Sequence, residues 1–306
     1  DWLSSTWEAN WRSFQYFNLY RLVVATVLVA ATFLSQGWLS PVRIANLHVF
    51  DGIGVIYLLA ISAVFIPLEI FWRADQFSTM PGFRWLRRDW LNDLCFYLGQ
   101  ALLFNALTLF VLGYLFRGVN STAYLPAWWL QAPSWLRVAL VILLGDALIY
   151  WGHRAQHAIP VLWRLHRVHH TAEQVDYLAA YREHPLDNIY TRGLETLPAV
   201  LLGLDLNTIA GFVTFRGLWA LFIHSNTGIR LGLLEPLLGS PHLHHWHHEK
   251  TKGGFHNFAN LSPLLDIAFG TYYSPAHRPE TYGIPERVRT EWPWQMIDPL
   301  LPVKQR

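Results

Sequence analysis

The chain has few charged residues, one cysteine and no marked excess of positive charge. Only 14% of its 306 residues are charged, whereas a soluble globular domain carries roughly 25%. A single cysteine, Cys95, excludes an internal disulfide, an iron–sulfur cluster and a Cys-x-x-Cys zinc site. Lys and Arg outnumber Asp and Glu by only 23 to 21, so we expect no nucleic-acid partner. The composition also argues against a freely soluble protein.

Apolar residues are abundant and form long stretches. They make up 53% of the chain, and 15% of the residues are aromatic, which is typical of a protein with two membrane–water interfaces. A bilayer core about 30 Å thick needs about 20 apolar helical residues. Residues 19–39, 52–72, 94–116 and, more briefly, 135–151 meet or approach this requirement. Residues 194–223 are divided by Asp205 and Asn207, which predicts a re-entrant hairpin or two tilted helices.

The placement of Arg residues predicts the orientation. Residues 72–90, between the second and third spans, contain Arg73, Arg84, Arg87 and Arg88, so this loop is expected in the cytoplasm. Counting crossings then places everything from His153 onward on the same side. We find no cleavable secretory signal, and the absence of Met at Asp1 suggests numbering from inside a longer chain.

The expected fold class is all-α. We predict an integral-membrane helical bundle of about four spans plus the hairpin, with a histidine-rich helical cap in the cytoplasm. The expected regions of this single structural unit are a transmembrane region 1–134, a histidine-rich catalytic region 135–275 and a cytoplasmic tail 276–306. Such a protein would reside in a bacterial inner membrane or the endoplasmic reticulum.

Histidines are the most informative residues. The chain has fifteen, and all but His48 follow residue 150. Residues three and four apart share one face of a helix, so we expect each of three clusters to present its imidazoles to one point. Eight imidazoles exceed the three or four that one zinc ion needs, which predicts two metal ions of a kind that imidazole suits: Fe, Zn, Cu or Ni. The clusters are His153 and His157; His166, His169 and His170; and His244, His247 and His248.

The other histidines are weaker candidates. His184 and His224 lie in polar stretches, whereas His242 and His245 are expected to flank the site. The motifs His-Glu-x-x-His, Glu-x-x-His, Gly-x-Gly-x-x-Gly and Gly-x-Ser-x-Gly are all absent. Their absence argues against a zincin protease, a carboxylate-bridged di-iron bundle, a dinucleotide-binding fold and a serine hydrolase. For His48, His256 and His277 we expect ordinary surface or core roles.

Taken together, the motifs resemble those of the fatty acid hydroxylase/sterol desaturase superfamily of integral-membrane di-iron oxygenases. The resemblance covers about residues 135–275, and the first 130 residues share only hydropathy with the family. The sequence departs from the family pattern at Phe258-Ala259, Leu265 and Asp187, where the family often has Tyr-Gly, Trp and Glu. The matching residues are Asp146-x3-Tyr150-Trp151-x-His153-Arg154-x2-His157, Leu162-Trp163-Arg164-x-His166-x2-His169-His170, Arg182-x-His184-Pro185, His224-x-Asn226, Pro241-x2-His244-x2-His247-His248 and Asp266-x2-Phe269-Gly270-Thr271.

The resemblance implies an enzyme that uses O2 to hydroxylate or desaturate a C–H bond of a lipid such as a sterol, a fatty acyl chain or an ether lipid. Electrons would come from an external donor of the ferredoxin, cytochrome or flavin reductase type. Two iron ions, which Zn can replace in purified material, would be bound by ten histidines. These are His153, His157, His166, His169, His170, His184, His224, His244, His247 and His248.

Three polar residues are further candidates for the catalytic site. Asp146 is an acid within an apolar span, which marks a functional candidate, although it can equally form a cap or a helix–helix hydrogen bond. Asp187 can orient an imidazole, and Asn226 belongs to the motif that begins with His224. Asp187 and Asp266 are both weaker candidates than Asp146.

Two other classes of function stay open. A metal transporter needs polar or ionisable groups through several spans, yet the histidines gather after the spans. A non-catalytic metal-binding scaffold is expected to have lost ligands, and none of the cluster positions is missing.

Overall fold

The regular secondary structure of the described part of the chain is almost entirely helical. A two-stranded antiparallel hairpin, β1 (Thr79–Met80) and β2 (Phe83–Arg87), is its one sheet. The all-α prediction is therefore confirmed apart from this hairpin, and the predicted span 19–39 lies outside the described residues. The computed structural model describes residues 53–75, 79–80, 83–87, 89–119, 121–251 and 254–301.

The chain divides into two compact units after Asp75. The described residues of the first unit contain α1 (Ile53–Phe71), an apolar helix with Pro67 inside it, where the sequence predicted residues 52–72 to span. The second unit contains both the long helical stretch Trp90–Phe116 and the histidine-rich region. The predicted region boundaries at residues 134 and 275 stay predictions.

Two described helices are long and apolar enough to cross a membrane. One runs from Trp90 to Phe116 and consists of α2 (Trp90–Gly99), a π-helical turn (Gln100–Phe104) and α3 (Asn105–Phe116). The other is α5 (Ser134–Ala158), which follows the short α4 (Ala127–Leu130). Both agree in place with predicted spans. The number of crossings and their orientation stay predictions.

Residues 194–223 form parts of two helices, as the sequence predicted. α7 (Pro185–Leu201) ends before a turn in which Gly203 has a positive φ of 67°. α8 (Leu206–His224) begins after Asp205, whose carboxylate accepts the backbone N–H of Thr208 at 3.0 Å. The carboxylate caps the helix N-terminus, and this explains why the apolar stretch breaks there. Whether the pair is re-entrant or tilted stays a prediction.

Buried polar contacts hold the long helices of the second unit together. Thr108 on α3 donates a hydrogen bond to Asn188 on α7 at 2.9 Å. Arg216 on α8 pairs with Asp146 on α5 at 3.2 Å and with Glu195 on α7 at 3.3 Å. Because these charges are buried, removing one partner is expected to cost about 3–5 kcal/mol.

The histidine-bearing segments surround the end of α5. α6 (Pro160–His170) follows α5 after one residue and begins with Pro160. A short α9 (Pro241–His247) begins after Ser240, whose hydroxyl accepts the backbone N–H of Leu243. Two further short helices, α10 (Leu264–Ala268) and α11 (Trp292–Gln295), complete the described helices.

Candidate metal centre

Nine histidines form two adjacent groups, and all nine were candidates from the sequence. Within each group, one ring nitrogen of every histidine lies within 4.8 Å of those of the others. Both groups are drawn from several helices, so the centre forms only when the chain is folded. The five-histidine group is His153, His157, His166, His170 and His247. The four-histidine group is His169, His224, His244 and His248.

The clusters on α6 and α9 divide between the two groups, which corrects one expectation. His166 and His170 belong to the five-histidine group, but His169 belongs to the four-histidine group. Adjacent residues on a helix point about 100° apart, so a His-His pair cannot face one point. The same division separates His247 from His248 on α9. Each His-x-x-His-His motif therefore contributes to both groups.

Backbone carbonyls determine the tautomer of several rings. The Nδ1 atom of His153 lies 2.8 Å from the carbonyl oxygen of Phe258, and that of His247 lies 2.7 Å from the carbonyl oxygen of His256. A carbonyl can only accept, so Nδ1 carries the proton and Nε2 keeps its lone pair.

Two members of the four-histidine group have the same arrangement. Nδ1 of His169 donates to the carbonyl of Arg182 at 3.2 Å, and Nδ1 of His224 donates to that of Ala220 at 2.7 Å. The Nε2 atoms of these two rings lie only 3.0 Å apart. Since neither Nε2 carries a proton, no hydrogen bond can form between them, and the two lone pairs repel each other unless a cation lies between them.

The five-histidine group also has ring nitrogens that make no hydrogen bond within the described part of the chain. The Nε2 atoms of His157, His170 and His247 are buried, with no hydrogen-bond partner among the described residues. Buried polar atoms are ordinarily satisfied, so orphaned lone pairs beside other imidazoles fit a metal ion. Neutral nitrogen donors suit Fe, Zn, Cu or Ni better than Mg or Ca.

Burial keeps these rings neutral. It lowers the pKa of His166, His169 and His170 well below 6.5, and neighbouring imidazoles lower it further. Burial has the same effect on the pKa values of His244 and His247. A histidine must be unprotonated to bind a metal, so these rings are in the form that can bind a metal at neutral pH.

Asp187 contacts a member of the five-histidine group. One carboxylate oxygen lies 3.0 Å from Nδ1 of His166, and the other accepts the Nε2–H of Gln156 at 2.6 Å. Desolvation raises the pKa of Asp187 to about 7. A carboxylate that contacts Nδ1 fixes the orientation of a metal-binding ring. The contact with His166 is consistent with this role, which the sequence suggested for Asp187.

Asp146 and Asn226 occupy different surroundings. Asp146 accepts from Arg216 and from the backbone N–H groups of Leu261 and Ser262, the last two at 3.2 and 3.0 Å. These contacts tie α5 to α8 and to the loop before α10 and involve no imidazole, so Asp146 makes the helix–helix contact that the sequence left open. Asn226 is buried two residues after His224. Catalytic roles for both stay predictions.

His184 lies outside both groups, in contrast to the ligand role that the resemblance implied. Its Nδ1 accepts the backbone N–H of Leu186 at 3.2 Å, and its Nε2 lies 3.3 Å from the carbonyl oxygen of Met296. Both ring nitrogens are therefore engaged, one as the cap of α7 and the other with the C-terminal segment. The structure therefore does not bring the tenth predicted ligand into either group, and its ligand role stays a prediction.

The support of His153 was not predicted from the sequence. The carboxylate of Asp266 accepts the backbone N–H groups of Phe258 at 2.8 Å and Ala259 at 2.9 Å. Asn257, with a positive φ of 53°, bonds through its side-chain amide to the carbonyl of Leu243 at 2.9 Å. These bonds fix the carbonyl of Phe258 that orients His153. A backbone acceptor has no signature of its own in a sequence, although Asp266 was noted as a weaker candidate.

Gly254 lies close to the backbone of α9 and to the ring of His170. Its φ is +62°, and a Cβ there would lie 2.2 Å from the carbonyl oxygen of His247 and 3.4 Å from Cε1 of His170. Only glycine fits such a position without strain. Gly254 therefore allows the backbone to approach His247 and His170 this closely.

Comparisons with known proteins agree with this site. Residues 138–271 match the fatty acid hydroxylase family, and this range contains all nine grouped histidines. The resemblance to the fatty acid hydroxylase/sterol desaturase superfamily is confirmed for this region of the chain.

Several named relatives are similar over about half of the chain. Ornithine lipid hydroxylase OlsE of Rhizobium tropici is 28% identical over 171 residues, which cover 55% of this chain and 52% of the relative. Human (Homo sapiens) alkylglycerol monooxygenase is 27% identical over 185 residues, or 57% and 40% of the two chains. A putative Delta(7)-sterol-C5(6)-desaturase 2 of Arabidopsis thaliana is 26% identical over 156 residues, or 50% and 53%. The chain thus spans about half the length of these relatives, and no solved structure matches it significantly.

Proposed function

We propose that this protein is a membrane-bound oxidoreductase that hydroxylates or desaturates a C–H bond of a lipid, with O2 as cosubstrate and two iron ions as cofactor. The observation that carries the proposal is the pair of adjacent imidazole groups, in which neutral Nε2 atoms face one another without protons between them. The names of the relatives (a lipid hydroxylase, a monooxygenase and a desaturase) support the reaction class.

The five-histidine group would hold one iron ion and the four-histidine group the other. Bound iron supplies the redox chemistry with O2 that breaks an unactivated C–H bond. The protein supplies the rest: carbonyls and Asp187 hold the Nδ1 protons, so that the Nε2 lone pairs of His153, His166 and His169 stay available. Neutral ligands leave the positive charge of a bound cation uncompensated, which favours negative charge developing near it.

Lipid is the substrate class that fits the surroundings. His153 and His157 lie in the last turns of α5, one of the two helices that can cross a membrane. Apolar side chains on these helices are exposed, among them Leu109, Phe110 and Leu143 at 74%, 72% and 61%. A hydrophobic substrate in the bilayer can approach along such a surface. A sterol, an acyl chain and an ether lipid remain equal candidates.

We propose that the electrons come from a separate partner. The sequence has one cysteine and no dinucleotide-binding fingerprint, so it carries no ligand set for an iron–sulfur cluster and no sign of a flavin or nicotinamide site. A ferredoxin, a cytochrome or a flavin reductase can fill this role. We further propose that the histidines face the cytoplasm of a bacterial inner membrane or the corresponding side of the endoplasmic reticulum, where such donors occur.

Lipid extracts of cells that express the protein provide the test. Compared with cells that express His169→Ala at the same level, the expected result is a lipid that has gained one oxygen atom or lost two hydrogen atoms. His277→Ala, outside both groups, is the matched control and should give the same products as the unchanged protein. Identical lipid profiles for all three proteins, with iron present in the unchanged one, would contradict the proposal.

A further inference from the structure

Four buried charged side chains lie next to the four-histidine group and form what we call the charge quartet: Arg87, Asp93, Asp176 and Arg182. Arg87 donates to Asp93 and also to both carboxylate oxygens of Asp176, at 2.5 and 2.8 Å. Arg182 donates through Nε to Asp93 at 2.6 Å. The two arginines and two carboxylates balance in charge, and none of the four residues is more than 5% exposed.

The quartet fixes the main chain at Arg182. The Arg182 guanidinium also donates to the hydroxyl of Thr171, the residue that ends α6, at 3.3 Å. Arg182 ends the segment 176–182. At the start of this segment, the carboxylate of Asp176 accepts the backbone N–H groups of Leu178 and Ala179, both at 3.0 Å. The segment 176–182 is therefore held at both ends by members of the quartet.

That segment contains the carbonyl that orients a metal-binding ring. The carbonyl oxygen of Arg182 accepts the Nδ1–H of His169 at 3.2 Å. His169 in turn places its Nε2 3.0 Å from that of His224. A continuous path of contacts thus leads from Asp93 through Arg182 to the ring nitrogen of His169.

The path involves only one of the two groups. In the five-histidine group, the Nδ1 atoms of His153, His166 and His247 are held by Phe258, Asp187 and His256. None of these partners belongs to the quartet. A change in the quartet should consequently alter the four-histidine group and leave the five-histidine group in place.

Two members of the quartet come from outside the family-matched region. Arg87 lies at the end of β2 and Asp93 on α2, whereas the fatty acid hydroxylase match begins at residue 138. Arg87 is one of the four loop arginines from which the sequence predicts the orientation. In the structure its side chain is buried and paired with Asp93 and Asp176. The part of the chain before the matched region is therefore joined to the metal centre.

We propose that the charge quartet positions His169, so that Asp93 and Arg87 determine the metal affinity of the four-histidine group. This inference rests on the two-metal centre of the proposed function. The quartet residues touch no imidazole Nε2 and are positioning residues, acting through the carbonyl of Arg182.

Metal content per folded chain tests the inference. The unchanged protein and the Asp93→Asn variant are each solubilised in detergent and loaded with iron. Each is then purified by size exclusion and analysed for metal. The expected result is a fall from about two ions to about one, because loss of an orienting contact lowers metal affinity about 10–100-fold. Glu195→Gln is the matched control: Glu195 is also buried and also paired with two arginines, Arg192 and Arg216, but lies outside the quartet. It should keep about two ions.

Double variants identify the affected group. His248→Ala removes a ligand of the four-histidine group, so adding Asp93→Asn to it should cause no further loss of metal. His247→Ala removes a ligand of the five-histidine group, so adding Asp93→Asn to it should remove most of the remaining metal. The charge-balanced double variant Arg87→Gln/Asp93→Asn should reproduce the loss of one ion if Asp93→Asn alone does not fold.

The possible outcomes separate this inference from the proposed function. Absence of metal from the unchanged protein would contradict the proposed function itself. Two ions in both the unchanged protein and Asp93→Asn would overturn the quartet inference alone. Loss of both ions, or failure of every quartet variant to fold while Glu195→Gln folds, would also overturn it, since the quartet would then support the whole domain rather than His169.

Discussion

The Nε2 atoms of His169 and His224 lie 3.0 Å apart although each ring donates its only proton, on Nδ1, to a backbone carbonyl. Two neutral rings cannot bond in this way. A cation between the two nitrogens turns the repulsion into a pair of ligand bonds. The two groups could thus hold metal ions, and metal binding there would add to the stability of the fold.

Metal removal should therefore destabilise the protein. A ligand that binds only the folded state at 1,000 times its Kd adds about 4 kcal/mol, and 1 kcal/mol corresponds to about 2–4 °C in Tm for a chain of 150–250 residues. We expect a chelator to lower Tm by several degrees and added Fe(II) or Zn(II) to restore it. Thermal unfolding in detergent measures this. An unchanged Tm after verified metal removal would be inconsistent with the site.

Replacement of Asp187 should weaken metal binding by the five-histidine group. Asp187→Asn removes the negative charge beside Nδ1 of His166, and loss of such a contact typically costs 10–100-fold in affinity. Asp187→Glu keeps the carboxylate and should retain most of the affinity. Competition with a chromophoric chelator measures both variants. Equal affinities for Asp187→Asn and the unchanged protein would show that the carboxylate does not support His166.

Replacement of Gly254 should disturb both the fold and the metal content. In Gly254→Ala the new Cβ would lie 2.2 Å from the carbonyl oxygen of His247, at a backbone φ of +62°, and strain of this kind costs about 1–3 kcal/mol before the clash is added. We expect a lower Tm together with less bound metal.

Gly211→Ala on α8 is the control for that experiment, because nothing lies within 4 Å of its Cβ position. Alanine is favoured over glycine inside a helix, so this variant should be as stable as the unchanged protein or slightly more so. If Gly254→Ala matched Gly211→Ala in both measurements, the close approach of residue 254 to His247 would not require glycine.

Much of the centre could be predicted because helical spacing is a local property. Eight of the nine grouped histidines follow from helical spacing, and the break at Asp205 follows from the interruption of an apolar stretch. His224 was a candidate only from its polar stretch and from the resemblance to the family. The division of His169 from His170 was missed because spacing gives the face of a residue but not the neighbours that the face meets. Long-range contacts explain the other differences. His184 is engaged by Met296, and Arg87 is buried by partners 6 and 89 residues away, which no local pattern indicates.

The central claim is that two metal ions lie side by side in the two imidazole groups. Anomalous X-ray scattering from crystals of the iron-loaded protein, recorded on both sides of the iron absorption edge, tests it most directly. We predict two iron peaks per chain, one among the Nε2 atoms of His157, His170 and His247 and the other beside those of His169 and His224. A single peak, or iron bound away from both groups, would contradict the account.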